Sequence, residues 1–582
     1  MSAPATGQEL PEGSDDSPRE RSRRRRSSGA RLIPRSRRAR LALLAVLLTG
    51  ISYATIIQSF SWNQASHYDL IRALNEDSTT IDPYQANTGD KVTYKGHVYS
   101  ARAPGLALFA LPFYDTLNLI GAESWTREHV APPNHPGDEM IYLIGLWGNV
   151  LPGLLLVGLV WWMADRFEPG YGAAAAVALG LGTMALPLST LLFSHIFTAF
   201  LGFAAFALMV RERAGPPSPS LLAVAGLAVG YAFSSEYPLF FVGLVLGCYL
   251  LSRRDSFNPR GIATRAGAYV VGGLIGIVPL LLYNHYAFHS WTHLAYSDVP
   301  RQKKGFFGID LPSLKVMATL LLDSRGLLTI SPVLILGGVG TWLLYRRGKR
   351  AEALSITGVC ACYVLYNSGY YLPFGGGFMG PRFLGTMLPF LACPLGLALK
   401  RFPGPTVALA AVSIVTTVIA TITHPLVGYE NETVVWARLL SKGEFQPTIA
   451  SAYGMGRGWG GIWPFLLAAG GAVLVAAWAT PRLRMSGRSA AWGALALGAW
   501  FLFAWLGPTV LGIDHQGLLD IKGAGDSTAL NLTLHDGARY PLSRLALYAT
   551  IAGGLALALA WLLRRGSEGE RTSAGALTSS PS

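Results

Sequence analysis

Residues 31–60 read RLIPRSRRARLALLAVLLTGISYATIIQSF, a basic cluster that abuts an uncharged run from Leu41 to Phe60. About 20 apolar residues are what a helix needs to cross roughly 30 Å of hydrocarbon. The run is too long for the apolar part of a cleaved signal, and no small-x-small cleavage site follows it. It reads as an uncleaved anchor whose N-terminal side is cytoplasmic. Ahead of it, residues 1–40 are rich in Ser, Pro, Gly, Glu and Arg without periodicity and are expected to form a disordered basic tail.

Similar apolar runs recur as far as Leu563. The composition agrees, with 51% hydrophobic and 14% charged residues and a mean hydropathy of +0.36. Those values exclude an ordinary soluble chain of this length. The expected fold is an all-α polytopic membrane protein of about 14 transmembrane helices. The formal charge of +14 would suit a nucleic-acid binder, but the basic residues sit in the tail and in short loops between apolar runs. There they act as topology determinants, and no nucleic-acid partner is expected. Cys248, Cys360, Cys362 and Cys393 all lie inside apolar runs, as small hydrophobes rather than metal ligands or disulfide partners.

The register of the spans hinges on Pro104–Ile120. If this segment does not cross, Arg166, Arg211, Arg213, Arg253–Arg265, Arg346–Arg350, Lys400, Arg401, Arg482–Arg488, Arg564 and Arg565 all face the cytoplasm. Pro112, Asp115 and Asn118 make it a poor span, whereas Leu106, Phe109, Phe113, Leu117 and Ile120 form a helical stripe suited to lying on the membrane. The organisation expected is therefore a tail (1–40), a membrane core (41–400) containing a long extracytoplasmic loop with interfacial helices (61–139), a C-terminal helical region (401–563) with outer loops at 425–461 and 512–542, and a tail (564–582). Both termini are cytoplasmic in this reading, in the cell membrane.

The same register puts His195, Glu236, Asn284, His285, Arg325, Arg382, His424 and Asp514 at or just beyond the outer ends of spans. Ionisable groups near a bilayer are costly unless they face a polar cavity, so this grouping predicts a shared extracytoplasmic pocket. In the first outer loop, His67, Leu70, Ile71 and Leu74 fall on one helical face and Asp69, Arg72 and Glu76 on the other, which predicts a surface helix with exposed carboxylates. Asp82 in IDPY and Asp90 in TGDK occur in turn-forming contexts that can aim a carboxylate.

The order of basic N-terminus, single span, acidic outer loop and a basic residue before a Pro-Gly step (Arg102, Pro104, Gly105) resembles the GT-C superfamily of polyprenyl-phosphate-sugar-dependent glycosyltransferases. It is most similar to the bacterial protein mannosyltransferase and aminoarabinose transferase group. Two later stretches extend the resemblance, DSRGLLTISP at 323–332 and YYLPFGGGFMGPRFLGTMLPF at 370–390. The resemblance implies an inverting transfer from a lipid-linked donor to an extracytoplasmic acceptor, with an outer-loop carboxylate as general base and basic residues on the lipid phosphate. Asp69, Asp82 and Asp90 are the candidates for the base. Arg102, Arg325, Arg382, Lys91, His195 and Glu236 are the candidates for binding donor phosphate or substrate. Many relatives carry an Asp-Glu pair where this chain has Asn63 and Gln64, which leaves the base open among the three aspartates. No metal-ligand spacing is visible, so no cofactor is expected, although scattered outer carboxylates are of a type that binds divalent cations. The rival class is a transporter or flippase, for which mid-membrane ionisable groups and paired halves are expected.

Overall fold

The computed structural model describes residues 36–130, 140–253, 258–299, 307–426, 432–483, 485–511 and 543–577. The expected disorder of the N-terminal tail, Asp514 and the loop 512–542 lie outside these residues. Among the described residues, eight helices are long and apolar enough to cross a membrane, or up to 11 if each bent helix pair is one span, and three shorter apolar helices accompany them. The chain is a multi-pass helical membrane protein. The larger number read from sequence treats short helices such as Pro219–Ser235 and Leu239–Leu251 as whole spans. It does the same for pairs such as Leu314–Ile330 with Val333–Arg346, which are bent by 91°.

The helices include α1 (Arg37–Thr55), α2 (Trp62–Asn75), α3 (Gly105–Leu119), α4 (Ala122–His129), α5 (Ser194–Arg213), α6 (Pro219–Ser235), α7 (Pro259–Phe288) and α8 (Pro403–Thr423). Helices α6 and α7 pack along their length through glycines one turn apart, Gly226 and Gly230 against Gly272 and Gly276. A Cβ on Gly230 would lie 2.1 Å from the Gly273 carbonyl oxygen, and one on Gly272 would lie 2.0 Å from that of Ala223. Inside a membrane, where burying apolar surface gains little, such backbone-to-backbone approach is a main source of helix association.

Helix α5 carries His195 at its start and Glu212 at its end, so it separates two polar layers by about 26 Å at 1.5 Å per residue. At the Glu212 end, the carboxylate takes Arg265 in a two-pronged contact of 3.0 and 2.8 Å and Arg253 at 3.2 Å. Glu168 similarly pairs with Arg347 and Lys400. Arginines and lysines assigned by sequence to the cytoplasmic loops thus converge on buried glutamates at one end of the helices, and the His195 end is left for a different set.

The outer loop departs from its expected all-helical form. Residues Lys91–Tyr94 (β1) and His97–Ser100 (β2) pair antiparallel, with Lys91 opposite Ser100. Lys95 and Gly96 between them both have positive φ (48° and 89°), the two-residue turn that matches strand twist. Helix α2 is covered by α3 and β2, so that Asp69 is fully buried rather than exposed, while Glu76 at its C-terminal end is exposed as expected. The apolar stripe of α3 is likewise taken up by protein rather than lipid. Leu106 and Leu117 are buried against α2, Phe109 and Phe113 stack on Trp147, and only Ile120 remains exposed. A sharp 91° bend then separates α3 from α4.

Candidate active site

Four separate stretches of chain bring five ionisable side chains to the His195 end of α5. The first is α2, whose residues Asn63 and His67 are one turn apart and so share a face, with Asp69 turned away from it. Asp69 is held on that other side by Arg72 and by Asn87 at 3.3 Å, and burial raises its pKa against the pull of Arg72.

The hairpin supplies the second and third groups. Asp90 precedes β1, and its backbone is pinned by Ser66 (Oγ to the Asp90 carbonyl, 2.6 Å), by Ala101 (3.1 Å) and by Thr88 (3.0 Å). Arg102 follows β2, and its guanidinium forms an ion pair with the Asp90 carboxylate. Asn63, with its amide oxygen toward Arg102, accepts from Nε at 3.1 Å and Nη1 at 3.2 Å. Burial works against the Arg102 charge, but Asp90, Tyr296 and Tyr370 together more than offset it and the pKa rises above the usual arginine range. The Pro-Gly step beyond Arg102 has a steric reason. A Cβ on Gly105 would lie 2.2 Å from Ser235 Oγ and 2.7 Å from the Ser234 carbonyl, so only glycine lets the chain dock against the end of α6.

That end carries the fourth group, Glu236. Its carboxylate accepts from His195 Nδ1, from Ser194 Oγ at 2.8 Å and from Thr198 Oγ1 at 3.1 Å, all in the first turn of α5. The non-helical stretch before α5 is held by Asn149, which donates to the carbonyls of Phe193 (2.7 Å) and Leu188 (3.3 Å) from a π-helical turn at Leu146–Val150. Gln64 of α2 accepts from the Leu192 amide at 3.1 Å. Thus the residues standing where relatives have Asp-Glu serve here to hold Arg102 and to tie α2 to α5.

Arg382 is the fifth. It follows the glycine-rich turn, its guanidinium lies 4.9 Å from the Phe193 ring centre, and it is in electrostatic reach of Arg102, Asp90, Tyr296 and Glu236. His67 interacts with Arg102, His195 and Arg382. Burial and these three neighbours push its pKa well below the ordinary value. Neither nitrogen of His67 has a hydrogen-bond partner among the described residues, and the same holds for Arg382 Nε and His195 Nε2.

Of the residues singled out from sequence, Asp90, Arg102, His195, Glu236 and Arg382 therefore meet. The others do not join them by the contacts seen. Asp82 accepts from the Val98 amide at 2.7 Å and from His97 at 2.8 Å, closing a turn onto β2, and the net pull of these partners over its burial lowers its pKa. Lys91, on the opposite strand face from Val92, is exposed and donates to the Gln85 carbonyl. Arg325 donates to the Phe378 carbonyl at 3.1 Å and lies over Phe374, so it braces the turn that carries Arg382. Asn63 as an Arg102 partner, His67 as a member of the cluster, and Tyr296 were not picked out from sequence. The one available signal was the four-residue spacing of Asn63 and His67. Among the described residues no group of three His, Cys, Asp or Glu side chains is placed to hold a metal ion.

Residues 136–368 match the model of glycosyltransferase family 87. No curated protein matches the chain. Similar solved structures include the ArnT of Cupriavidus metallidurans bound to undecaprenyl phosphate (16% identity, 79% of this chain and 77% of that one, TM-score 0.44). The same enzyme without ligand gives 18% identity, 79% and 75% coverage and a TM-score of 0.43. The oligosaccharyltransferase AglB of Archaeoglobus fulgidus, in complex with an inhibitory peptide and a dolichol-phosphate, gives 11% identity, 80% and 57% coverage and a TM-score of 0.39. Over residues 136–368 the chain is similar to glycosyltransferase family 87, a GT-C family, and the resemblance to GT-C membrane glycosyltransferases carried by its motifs is borne out.

Proposed function

We propose that this chain is a membrane glycosyltransferase that moves a sugar from a polyprenyl-phosphate donor to a hydroxyl-bearing acceptor on the extracytoplasmic face, with inversion at the anomeric carbon. The observation that carries the reading is the convergence of Arg102, Arg382, His67 and His195 around Asp90, with four of their nitrogens unpartnered. A phosphate has several acceptor oxygens and a charge that satisfy such a set, and the match to a glycosyltransferase family supplies the class of reaction.

In this mechanism Asp90 takes the proton of the acceptor hydroxyl as its oxygen attacks the anomeric carbon. Arg102 and Arg382 stabilise the phosphate oxygens, whose charge grows as the glycosidic bond breaks. Asn63 and Asp90 hold Arg102 in place, and the Phe193 ring supports Arg382. The working face is extracytoplasmic and both termini are cytoplasmic, on the sidedness of the basic loops.

The test uses purified protein in nanodiscs with polyprenyl-phosphate-linked sugars and a panel of hydroxyl acceptors, following release of polyprenyl phosphate. Acceptor-dependent release is the expected result. No release across the panel, together with movement of a lipid-linked sugar or polar solute across proteoliposomes, would instead establish a transporter.

A further inference from the structure

His195 is built into the site more elaborately than a phosphate-binding side chain requires. Its Nδ1 is committed to Glu236, whose carboxylate is completed by Ser194 and Thr198 at 2.8 and 3.1 Å. Its ring is clamped edge to face by Phe193, with centroids 5.9 Å apart, and by Phe383 at 5.5 Å. The Arg382 guanidinium lies over the same two rings, at 4.9 and 5.6 Å, so the histidine and the arginine are neighbours. The side chain is 6% exposed, yet Nε2 has no hydrogen-bond partner among the described residues. A merely structural buried histidine satisfies both nitrogens. Here one nitrogen is fixed by an anionic partner and the other is left open beside a cation, the arrangement that sets a histidine's tautomer for proton transfer at its free nitrogen.

Resting on the glycosyl-transfer reading above, we infer that the His195–Glu236 pair is the proton donor to the departing lipid phosphate. The bond between the anomeric carbon and the phosphate oxygen breaks, its electron pair stays on that oxygen, and the oxygen takes the Nε2 proton of the His195 imidazolium. The bond from the acceptor oxygen to the anomeric carbon forms, and the acceptor proton passes to Asp90. His195 ends neutral and Asp90 protonated, and exchange of one proton each with water restores both. Glu236 acts as a positioning residue: it holds the ring by Nδ1. Its own charge keeps the pair's charge at zero before transfer, beside Arg382.

The titratable groups around the pair are Glu236 at the end of α6, His67 on α2, Arg102 after the hairpin, Arg382 after the glycine-rich turn, and Asp90, Tyr296, Tyr363 and Tyr366. A donor that must be protonated makes turnover fall as pH rises through its pKa, and removing it removes that fall.

The experiment measures kcat and donor KM against pH for wild type, His195→Gln and Glu236→Gln in nanodiscs, with a polyprenyl-phosphate-linked sugar that the wild type turns over. His195→Gln is expected to lower kcat about 100- to 10,000-fold, to change donor KM by less than about threefold, and to abolish the alkaline decline. Glu236→Gln is expected to move that decline to lower pH with a smaller loss of kcat. An unchanged alkaline limb in both variants overturns the inference while leaving the glycosyltransferase reading intact. A wild type inactive with every donor overturns both. If His195→Gln is not recovered as a monodisperse protein, the displacement of the limb in Glu236→Gln decides.

Discussion

Asp90 and Arg102 flank one β-hairpin and form an ion pair across its open end, where the strand register brings Lys91 opposite Ser100. The choice among three loop aspartates follows from that relationship. Asp90→Asn keeps the shape and removes the proton acceptor, so turnover is expected to fall about 100- to 10,000-fold with donor binding nearly kept. Asp82→Asn weakens a partly exposed pair with His97 and a turn, so it is expected to cost about 1 kcal/mol or less of stability and to leave turnover within a fewfold. Release of polyprenyl phosphate by the two variants, side by side, checks the assignment. Full activity in Asp90→Asn would remove the general base from this loop position.

Arg382→Lys retains a positive charge but loses the planar two-pronged donor set. An interaction that strengthens as phosphate charge develops contributes more in the transition state than in the ground state. Donor affinity is therefore expected to weaken a fewfold and kcat to fall by at least tenfold more. Equal kcat in wild type and variant would mean that the arginine only packs against Phe193 and Phe383.

The α6–α7 contact is expected to tolerate no added side chain. Gly230→Val must displace the Gly273 carbonyl, and overpacking of this kind costs about 1–3 kcal/mol or more. Gly267→Ala on the same α7 helix meets no atom within 4 Å and is expected to leave the thermal midpoint unchanged. Midpoints measured in detergent, with turnover alongside, should show loss in the first variant only.

His67 gives stability a defined pH dependence. Its pKa in the folded protein is well below 6.5, so between that lowered value and about 6.5 the unfolded chain binds more protons at this site. The His67 contribution is fully present above about 6.5 and is lost as pH falls through the folded value. Thermal midpoints should therefore drop on acidification below about pH 6.5, and His67→Asn should flatten that part of the profile. An identical slope in the variant would assign the effect elsewhere.

Orientation is checked by single cysteines placed in a background lacking Cys248, Cys360, Cys362 and Cys393. A cysteine at the exposed Ser441 should react with an impermeant thiol reagent added outside intact cells, and one at the exposed Lys349 should not. The reverse pattern would place the active-site cluster on the cytoplasmic face.

The helical spans and the common sidedness of His195, Glu236 and Arg382 were legible in the sequence because both depend on hydropathy and on where charge interrupts it. Which aspartate joins them was not. Asp69 and His67 differ by two helix positions, and only the packing of α3 and β2 on α2 decides which face is inward. The hairpin signal lies in VTYKGHVY, a Lys-Gly turn between β-prone residues, which the reading of the loop by helical faces and aspartate turns does not use. The α3 stripe of Leu106, Phe109, Phe113 and Leu117 fits a lipid surface and a protein groove equally well by pattern alone. Asn63 looked like a loss relative to its relatives until Asp90 was found beside the same guanidinium.

The scatter of the cluster along the chain has a consequence for biogenesis. Asp90 and Arg102 leave the ribosome early in synthesis, whereas Arg382 follows only after α5, α6 and α7 have been made. During that interval the hairpin has no Arg382 beside it and the start of α5 lacks part of its packing. Contacts between distant stretches form late because closing the intervening chain is entropically unfavourable. On the proposed mechanism, a chain truncated before Arg382 is expected to show no transfer activity, because the cluster is incomplete until the central helices are in place.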